Sequence, residues 1–210
     1  MGDGDIGGRS KTRIGAANVD RILDAGLAAF SRDGLRGARI EEIATAAEMS
    51  KTNLLYYFRT KEALYAAVLT RTLDIWLQPL RDLDEAGGPA TALAAYIEAK
   101  LDYSRRYPEA SRLFALEIMQ GAPVLSNVLK TDLATLVEAK IHVLRRWIDE
   151  GRLRPADPHH LIFMIWATTQ HYADFATQIR TLTGKDLTDD AFFDQARSAL
   201  VETILRGALA

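Results

Sequence analysis

A tryptophan and a glutamine one helical turn apart are the residues best suited to recognise a small molecule. Trp166 and Gln170 are at positions i and i+4 of a predicted helix, so their side chains point at one volume. The Gln170 amide offers a donor and an acceptor, which match the cis N–H and C=O of an imide ring such as a pyrimidine base. Trp166 supplies a flat surface for stacking, and Trp76 could supply another. The alternative is that Trp166 lies in the core and that Gln170 hydrogen-bonds across helices.

A second group of chemically useful side chains lies on a short predicted helix between about residues 50 and 57. Ser50 is a typical N-cap, and Leu54, Leu55 and Phe58 can pack inward. The side chains left outside are of the types that bond phosphates and base edges: Lys51, Thr52, Asn53, Tyr56 and Tyr57. Together with the short helix before it, this helix predicts a helix-turn-helix that enters the major groove of DNA. The alternative is a solvated helix face whose two tyrosines anchor it to the core.

Other kinds of chemistry lack the residues they need. The sequence contains no GxGxxG, P-loop, GxSxG, HExxH or CxxC motif, so we expect neither an enzyme nor a bound cofactor. No two of the four histidines have the i, i+4 spacing of metal ligands, so we expect no metal site. Cysteine is absent, there is no signal peptide, and the longest apolar run is residues 161–167. These features predict a cytoplasmic protein without a membrane span.

The charge distribution supports contact with DNA at one end of the chain only. The 210 residues carry a net charge of −2, with 48% hydrophobic and 26% charged residues. Between Arg9 and Lys61, 10 basic and 6 acidic residues give a net charge of +4; from Glu62 onward, 16 and 20 give −4. A basic excess confined to the first quarter is expected if that segment alone faces phosphates.

The hydrophobic spacing is helical throughout and predicts an all-α protein of nine helices in two domains. Residues 1–15 are predicted to be a flexible tail carrying Arg9, Lys11 and Arg13. Residues 16–61 form the predicted helix-turn-helix domain, with helices at about 17–32, 39–47 and 50–57. Residues 62–210 form the predicted ligand-binding and dimerisation domain. Its helices are expected at about 60–77, 90–106, from 108 to before Gly121, up to Gly151, 158–182 and 188–206.

The last two predicted helices carry more apolar surface than one protomer needs. The residues concerned are Phe163, Phe175, Phe192, Phe193 and Leu200. We predict that these helices pair across a two-fold axis to form a homodimer. Such a dimer would present two recognition helices to a palindromic double-stranded operator, about 34–36 Å apart.

The runs Ile43-Ala44, Ser50 to Phe58 and Thr60 to Leu64 resemble the signature of the TetR family of regulators. The resemblance implies that Thr52, Asn53 and Tyr57 lie near base edges. It also implies that Lys51, Tyr56 and Lys61 hold phosphates, with Arg39 as a further DNA contact. Two positions depart from the family pattern. Ala38 stands where a threonine commonly caps the second helix. Glu48 stands where the turn usually has glycine, so that a non-glycine residue would have to adopt positive φ.

The segments His160 to Ala167 and Thr169 to Phe175 resemble pyrimidine-responsive members of that family. This resemblance implies that uracil or thymine is the effector and releases the operator. It also implies a pocket lined by Trp76, Trp166 and Gln170, with Phe114, Tyr103 and Met119 as weaker candidates. We predict that the effector moves the fourth helix and with it the DNA-binding head. The alternative is an efflux regulator with a larger apolar pocket, whereas two tryptophans and a glutamine favour a compact planar effector.

Overall fold

The computed structural model describes the backbone of residues 6–210 and the side chains of residues 15–210. This described part contains eleven α-helices, a π turn and a single antiparallel bridge between Leu153 and Leu209. The helices are α1 (Ile6–Gly37), α2 (Ile40–Ala46), α3 (Lys51–Tyr57), α4 (Lys61–Arg81), α5 (Gly88–Arg106), α6 (Pro108–Met119), α7 (Ser126–Val128), α8 (Ala134–Asp149), α9 (Pro158–Asp174), α10 (Ala176–Thr183) and α11 (Asp190–Ala208). The prediction of an all-α fold is confirmed.

The chain divides into two compact units at Thr72–Leu73, in the middle of α4, whereas the sequence suggested a boundary at residue 61, where α4 begins. The difference arises because the first part of α4 packs in the first unit. A Cβ atom added at Gly26 of α1 would lie 3.0 Å from Val68 Cγ2, so the glycine allows α1 and α4 to approach closely. The Phe30 and Tyr65 rings meet edge to face with centroids 5.0 Å apart. These contacts give the first unit its apolar core.

Helix α1 is longer than the sequence predicted. It begins at Ile6 rather than near Ala17, so the predicted tail from residue 6 onward belongs to a helix; residues 1–5 lie outside the described part. No proline interrupts residues 6–16, which leaves no strong stop signal there. Near its end, Gly34 has a φ of 66°, a conformation that interrupts the helix as Asp33-Gly34 suggested.

Several helix boundaries in the second unit are those that local sequence signals predict. The Asp157 side chain accepts a hydrogen bond from the His159 amide at the start of α9, and Pro158 follows it in the first turn. Asp189 caps α11 in the same way through the amide of Phe192.

Two predicted long helices are divided. The predicted seventh helix consists of α7, the π turn Leu129–Leu133 and α8, and the predicted eighth is separated into α9 and α10 at Phe175. At the π turn, the Thr131 hydroxyl donates to the Asn127 carbonyl oxygen at 3.1 Å. The Phe175 backbone leaves the helical region, with φ −112° and ψ 28°.

The core of the second unit is formed where α5 packs against α9 and α11. Its largest buried side chain is Trp147 of α8, surrounded by aliphatic residues from these helices. Within the described residues, no helix is long and apolar enough to cross a membrane. The packing of α5 against α9 matters most for function, because these two helices bring their polar side chains to one cavity.

Candidate functional site

The outward face of α3 has the polar character that the sequence predicted. Leu54 is fully buried, whereas Lys51, Thr52 and Asn53 are exposed. The Ser50 hydroxyl accepts a hydrogen bond from the Asn53 amide at 3.1 Å and so fixes the start of the helix. Tyr56 is 81% exposed, which is unusual for a large aromatic side chain without a partner surface. This arrangement can present donors and one aromatic ring to a groove or backbone.

Acidic residues of α2 hold the basic side chains beside this face. Lys51 Nζ lies 2.7 Å from Glu41 Oε1, and this hydrogen bond lowers the pKa of Glu41. Arg39 Nε lies 4.0 Å from Glu42 Oε1. Both pairs are well exposed, so each contributes little to stability and can exchange its carboxylate for a phosphate. Both basic residues therefore remain candidates for DNA contacts.

Tyr57 has an intramolecular partner. Its hydroxyl accepts a hydrogen bond from Asn18 Nδ2 of α1 at 2.9 Å, and its ring meets Tyr56 edge to face at 5.4 Å. Tyr57 is half-buried, as in the interpretation of a tyrosine that anchors the helix, while Tyr56 is not. The two tyrosines that the sequence grouped together therefore have different environments.

The Lys61 side chain contacts the last turn of α1 and the residue that follows this helix. Its ammonium donates to the Ala38 carbonyl oxygen at 3.0 Å and to the Arg36 carbonyl oxygen at 3.3 Å. Thr60, rather than Lys61, caps α4 by accepting from the Ala63 amide at 3.0 Å. Two of the three ammonium donors are thus used within the protein, and this gives Lys61 a structural task besides the phosphate contact that the resemblance implies.

The two departures from the family pattern have different outcomes. Glu48 adopts the left-handed conformation with a φ of 57°, as predicted for a non-glycine residue in this turn. The expected missing cap lies one residue later than predicted: the N-cap of α2 is Arg39, and its side chain makes no capping hydrogen bond. Ala38 is buried instead.

A small cavity in the second unit brings together residues from α4, α5, α6, the π turn and α9. Its volume is about 20 Å³. Its lining residues are Leu73, Trp76, Leu77, Leu80, Tyr96, Lys100, Phe114, Leu133, Trp166 and Gln170. This volume accommodates a water molecule but not a ring-shaped ligand, so a ligand must displace lining side chains. Trp76, Trp166 and Gln170 line one cavity, as the sequence predicted.

The buried ammonium group of Lys100 lies against the ring of Trp76 in this cavity. Lys100 Nζ is 3.9 Å from the centroid of the Trp76 ring, a cation–π distance. Burial lowers the pKa of Lys100 to about 7, while the charge of Asp174 acts in the opposite direction. The Trp76 side chain is buried and its Nε1–H has no hydrogen-bond partner among the described residues. A buried donor without an acceptor is uncommon in folded proteins and marks a site where a ligand can supply one.

The second tryptophan is already satisfied. Trp166 Nε1 donates to the Tyr96 hydroxyl at 2.6 Å, and burial raises the pKa of Tyr96. Tyr96 therefore stays protonated, and its own O–H can donate into the cavity. Gln170 adds an amide that both donates and accepts. The cavity has apolar walls and more donors than acceptors, and so it favours a ligand rich in carbonyl or anionic oxygen.

The three residues that were weaker candidates for ligand binding lie in different parts of the second unit. Phe114 lines the cavity and also an open groove beside it, where Met119 lies 75% exposed. Tyr103 lies outside the cavity, in a separate recess with Pro79, and the Arg106 guanidinium stacks on its ring at 5.1 Å. Met119 and Tyr103 are thus not brought together with Trp76.

Two polar residues of the cavity, Tyr96 and Lys100, were missed. A signal for them exists in the sequence of α5. Tyr96, Lys100 and Ser104 are spaced by four residues and share the buried face of the helix with Leu93 and Leu101. A lysine on an otherwise apolar helical stripe departs from the usual pattern and indicates a special role.

The predicted dimerisation residues are only partly free for a partner. Phe163 and Phe175 are about half exposed. Phe192, Phe193 and Leu200 instead pack within the protomer around Leu101, Leu187 and Ala196. The Tyr172 and Phe192 rings are 6.2 Å apart. The excess apolar surface of α11 is therefore smaller than the sequence suggested, because these side chains cover the protomer's own core.

The histidines show no cooperative metal arrangement. His159 Nδ1 lies 2.8 Å from Asp157, and this hydrogen bond raises the pKa of His159. His171 stacks on Phe175 with a centroid distance of 4.9 Å. Among the described residues, no three His, Asp or Glu side chains are grouped as metal ligands.

Comparison with known proteins gives the family of each part of the chain. Residues 22–68 match bacterial regulatory proteins of the tetR family, and residues 69–210 match the C-terminal region of YcdC-like proteins. The chain is 49% identical over 197 residues to the HTH-type transcriptional regulator RutR of Escherichia coli K12, covering 94% of this chain and 93% of that protein. It is 31% identical over 150 residues to the HTH-type transcriptional repressor NicS of Pseudomonas putida, covering 69% of each.

Solved structures agree with this assignment. The transcriptional regulator SCO4942 of Streptomyces coelicolor superposes with a TM-score of 0.69 at 27% identity, over 90% of this chain and 97% of that chain. The family resemblance predicted from the α3 region is thereby confirmed. The chain belongs to the TetR family of transcriptional regulators.

Proposed function

We propose that this regulator binds a palindromic operator as a homodimer and releases it when uracil or thymine occupies the cavity of the second unit. The observation that carries the proposal is the joint presence of Trp76, Trp166 and Gln170 on one cavity. Protein ligand sites are typically apolar with a few convergent polar groups, which describes this cavity. The sequence resemblance to pyrimidine-responsive members of the family supplies the ligand class.

The chemistry of the cavity suits a pyrimidinedione. Uracil and thymine are flat and neutral, and each carries two C=O acceptors and two N–H donors. The Gln170 amide can pair with an imide edge by giving one hydrogen bond and accepting another. The rings of Trp76 and Trp166 offer flat surfaces for the base. The remaining carbonyl of the base then needs a donor, and the cavity has several.

Effector binding must open the cavity. A volume of about 20 Å³ is far below the space that a base requires. Phe114 and Gln170 both line the cavity and the open groove beside it, so a shift of the Phe114 ring would open the cavity toward the groove and leave Gln170 in place to bind the ligand. A ligand that binds only an opened state shifts the protein toward that state in proportion to its differential affinity. This supports an effector that acts by selecting a second conformation.

The exposed face of α3 supports the DNA-binding half of the proposal. Lys51, Thr52, Asn53 and Tyr56 are exposed on one short helix, as required of residues that contact bases and phosphates. The dimer is proposed to use Phe163 and Phe175, the two predicted interface residues that remain about half exposed. Replacing both by polar residues should convert the dimer to a monomer in sedimentation experiments.

The decisive experiment measures ligand binding and DNA release with the same protein. A duplex selected from random sequences serves as operator, and its binding is followed by fluorescence anisotropy. Uracil or thymine should raise the free energy of unfolding by about 2.7 kcal/mol at a concentration 100 times the dissociation constant. Either base should also dissociate the duplex, whereas cytosine and xanthine should not.

Gln170→Ala sharpens the test because it removes the amide, with one methylene group, and leaves both tryptophans in place. The variant should still bind the duplex and fail to release it. If uracil and thymine neither stabilise the wild type nor release DNA, the effector assignment is wrong and only the family-level function stands.

A second candidate is an apolar effector of a different class. A mostly apolar recess of about 180 Å³ lies between α8, α9 and α11, and it includes Leu144, Ile148, Met164 and Ile204. It is larger than the cavity that holds Gln170. Stabilisation by apolar compounds, undiminished by Gln170→Ala, would favour this alternative.

A further inference from the structure

We infer that Lys100 and the Nε1–H of Trp76 together bind an oxygen atom of the effector, so that Lys100 is an effector-specificity residue of the cavity. The inference deepens the proposed function and rests on it. Lys100 belongs to α5 and was not among the residues that the sequence indicated. Its position next to Trp76 was revealed only by the packing of α5 beside α4.

Neither the Lys100 ammonium nor the Trp76 Nε1–H has an acceptor among the described residues. Lys100 is 1% exposed, and among the described residues no carboxylate lies within 4.0 Å of its ammonium. Its close contact is the face of the Trp76 ring. The indole N–H of Trp76 has no acceptor within the described part of the chain. The ammonium lies over the face of the indole, whereas the N–H points outward in the plane of the ring. One ligand oxygen at the edge of the indole would therefore satisfy both donors once the ammonium moves from the ring face to that oxygen.

The rest of the cavity offers a separate set of polar groups on another wall. Gln170 can engage one imide edge of a pyrimidinedione, using the N–H and one carbonyl. The second carbonyl of the ring then has to meet donors other than the Gln170 amide. Lys100 and Trp76 lie on helices α5 and α4, whereas Gln170 lies on α9, so the two sets of donors come from different walls of one cavity. A dioxo ring uses both sets at once.

Such a pair of donors also excludes one class of ligand. An ammonium group has three donors and no acceptor, and in a buried site it repels other cations. The negative charge of Asp174 opposes the lowering of the Lys100 pKa by burial, and the Ser111 hydroxyl donates to the Asp174 carboxylate at 2.5 Å. Asp174 is therefore partly satisfied elsewhere. We conclude that the effector is a neutral or anionic molecule with an acceptor oxygen at this place, and that cationic compounds are rejected.

A purely structural role for Lys100 is the competing explanation. In that case the cation–π contact with Trp76 alone would hold the ammonium. Removing the ammonium would then change stability without a preference for any atom of the ligand. The two explanations therefore differ in whether the effect of a Lys100 substitution depends on a particular oxygen of the base.

The test combines one substitution in the protein with one in the ligand and compares the four binding affinities for each ligand analogue, measured by titration calorimetry at pH 6. Uracil, 2-thiouracil and 4-thiouracil are titrated into the wild type and Lys100→Met. Losing a charged hydrogen bond should weaken uracil binding by roughly 10- to 100-fold. Replacing one of the two oxygens by sulfur should weaken binding to the wild type and have little further effect in Lys100→Met. The other replacement should weaken binding to both proteins equally.

Two further variants keep the result interpretable. Trp76→Phe retains a ring but removes the N–H. It should weaken the binding of uracil and leave unchanged the binding of the analogue whose sulfur replaces the oxygen bound by Lys100 and Trp76. This variant tests the inference even if Lys100→Met does not fold. Lys140→Met is the matched control: Lys140 Nζ donates to the Leu83 carbonyl oxygen at 3.1 Å and does not line the cavity. It should bind all three ligands as the wild type does.

The outcomes separate the two proposals. Uracil binding that is unchanged in Lys100→Met and Trp76→Phe overturns this inference and leaves the pyrimidine effector standing. Weakening that is equal for all three ligands also overturns it, in favour of the structural explanation. A wild type that binds neither uracil nor thymine overturns the proposed effector and this inference with it.

Discussion

The exposed face of α3 and the cavity of the second unit are both polar, but their polar groups differ in what they need. Lys51 of α3 and the neighbouring Arg39, the N-cap of α2, pair with carboxylates at the surface, and water can replace any of these partners. In the cavity, Lys100 and Trp76 are buried and the indole N–H has no partner in the described structure. A donor at the surface costs little free energy without a protein partner because water accepts its hydrogen bond. A buried donor without an acceptor destabilises the fold. The cavity is therefore stronger structural evidence for a ligand than the α3 face is.

The largest effect expected from this difference comes from the burial of Lys100. Its pKa is lowered to about 7 by burial, from 10.5. Below pH 7 the ammonium is charged in the folded and unfolded chains, and the folded protein carries the full cost of burying it. Between pH 7 and 10.5 the unfolded chain keeps a proton that the folded chain has lost, so the stability of the wild type rises with pH.

Lys100→Met lacks this titration. The free energy of unfolding of the wild type relative to the variant should therefore increase by roughly 4–5 kcal/mol from pH 6 to 11. Urea unfolding at a series of pH values measures this difference. Lys51→Met is the control, because its exposed ammonium carries no burial cost to relieve. A difference that stays constant with pH would show that the Lys100 ammonium is not disfavoured in the fold.

The second test asks whether the two regions are stabilised separately. Leu54 is fully buried beneath the α3 face, so Leu54→Ala should lower the stability of the first unit by about 3 kcal/mol. Leu55 is half-buried and serves as the matched control position, where Leu55→Ala should lower the stability less. We expect Leu54→Ala to lose operator binding while uracil still binds the second unit. Simultaneous loss of uracil binding would mean that the two regions unfold together.

The same contrast explains what the sequence could predict. The α3 face lies within seven consecutive residues, so Ser50, Leu54 and the polar positions between them define it by spacing alone. The cavity is assembled from helices far apart in the chain. The i, i+4 spacing identified Trp166 and Gln170, which share α9, but no local pattern could show that Lys100 of α5 meets Trp76 of α4. Long-range packing decides such contacts.

Other departures from the expectations have the same origin. Phe192 and Phe193 pack partly against the protomer's own core, and the spacing of apolar residues cannot distinguish such a core from a partner surface, so their role in a dimer stays a prediction. The boundary at residue 61 followed the end of a sequence motif, whereas the structure places Leu64 and Val68 in the core of the first unit. Glu48, in contrast, was predicted with its positive φ because turn geometry depends on a few consecutive residues.

A third test separates the two tyrosines of α3. Tyr57→Phe removes the hydroxyl that accepts from Asn18 and should lower stability by about 1 kcal/mol. Tyr56→Phe, at an exposed position, should leave stability unchanged. If both hydroxyls also contact DNA, both variants should weaken operator binding. Weakening by Tyr57→Phe alone would instead indicate that the position of α3, held through Asn18, matters more than the Tyr56 hydroxyl.

The smallest expected effect is at the turn between α2 and α3. Glu48 holds a φ of 57°, and the Met49 amide donates to the Ala44 carbonyl oxygen at 3.0 Å, as in helix ends that usually use glycine. Glu48→Gly removes the steric cost of the left-handed conformation but increases the freedom of the unfolded chain. Since the first effect is larger, thermal unfolding should show a gain of about 0.5–1 kcal/mol.

Glu48→Ala distinguishes this cause from the loss of a charge. Glu48 lies 3.6 Å from Arg21 in an exposed ion pair, which contributes little. Alanine removes the pair but keeps the Cβ atom and its strain, so it should leave stability nearly unchanged. If alanine stabilised as much as glycine, the carboxylate and not the backbone would be the source of the effect. Turn strain would then not be a liability of the α3 region, and the exposed face would rest on a relaxed backbone.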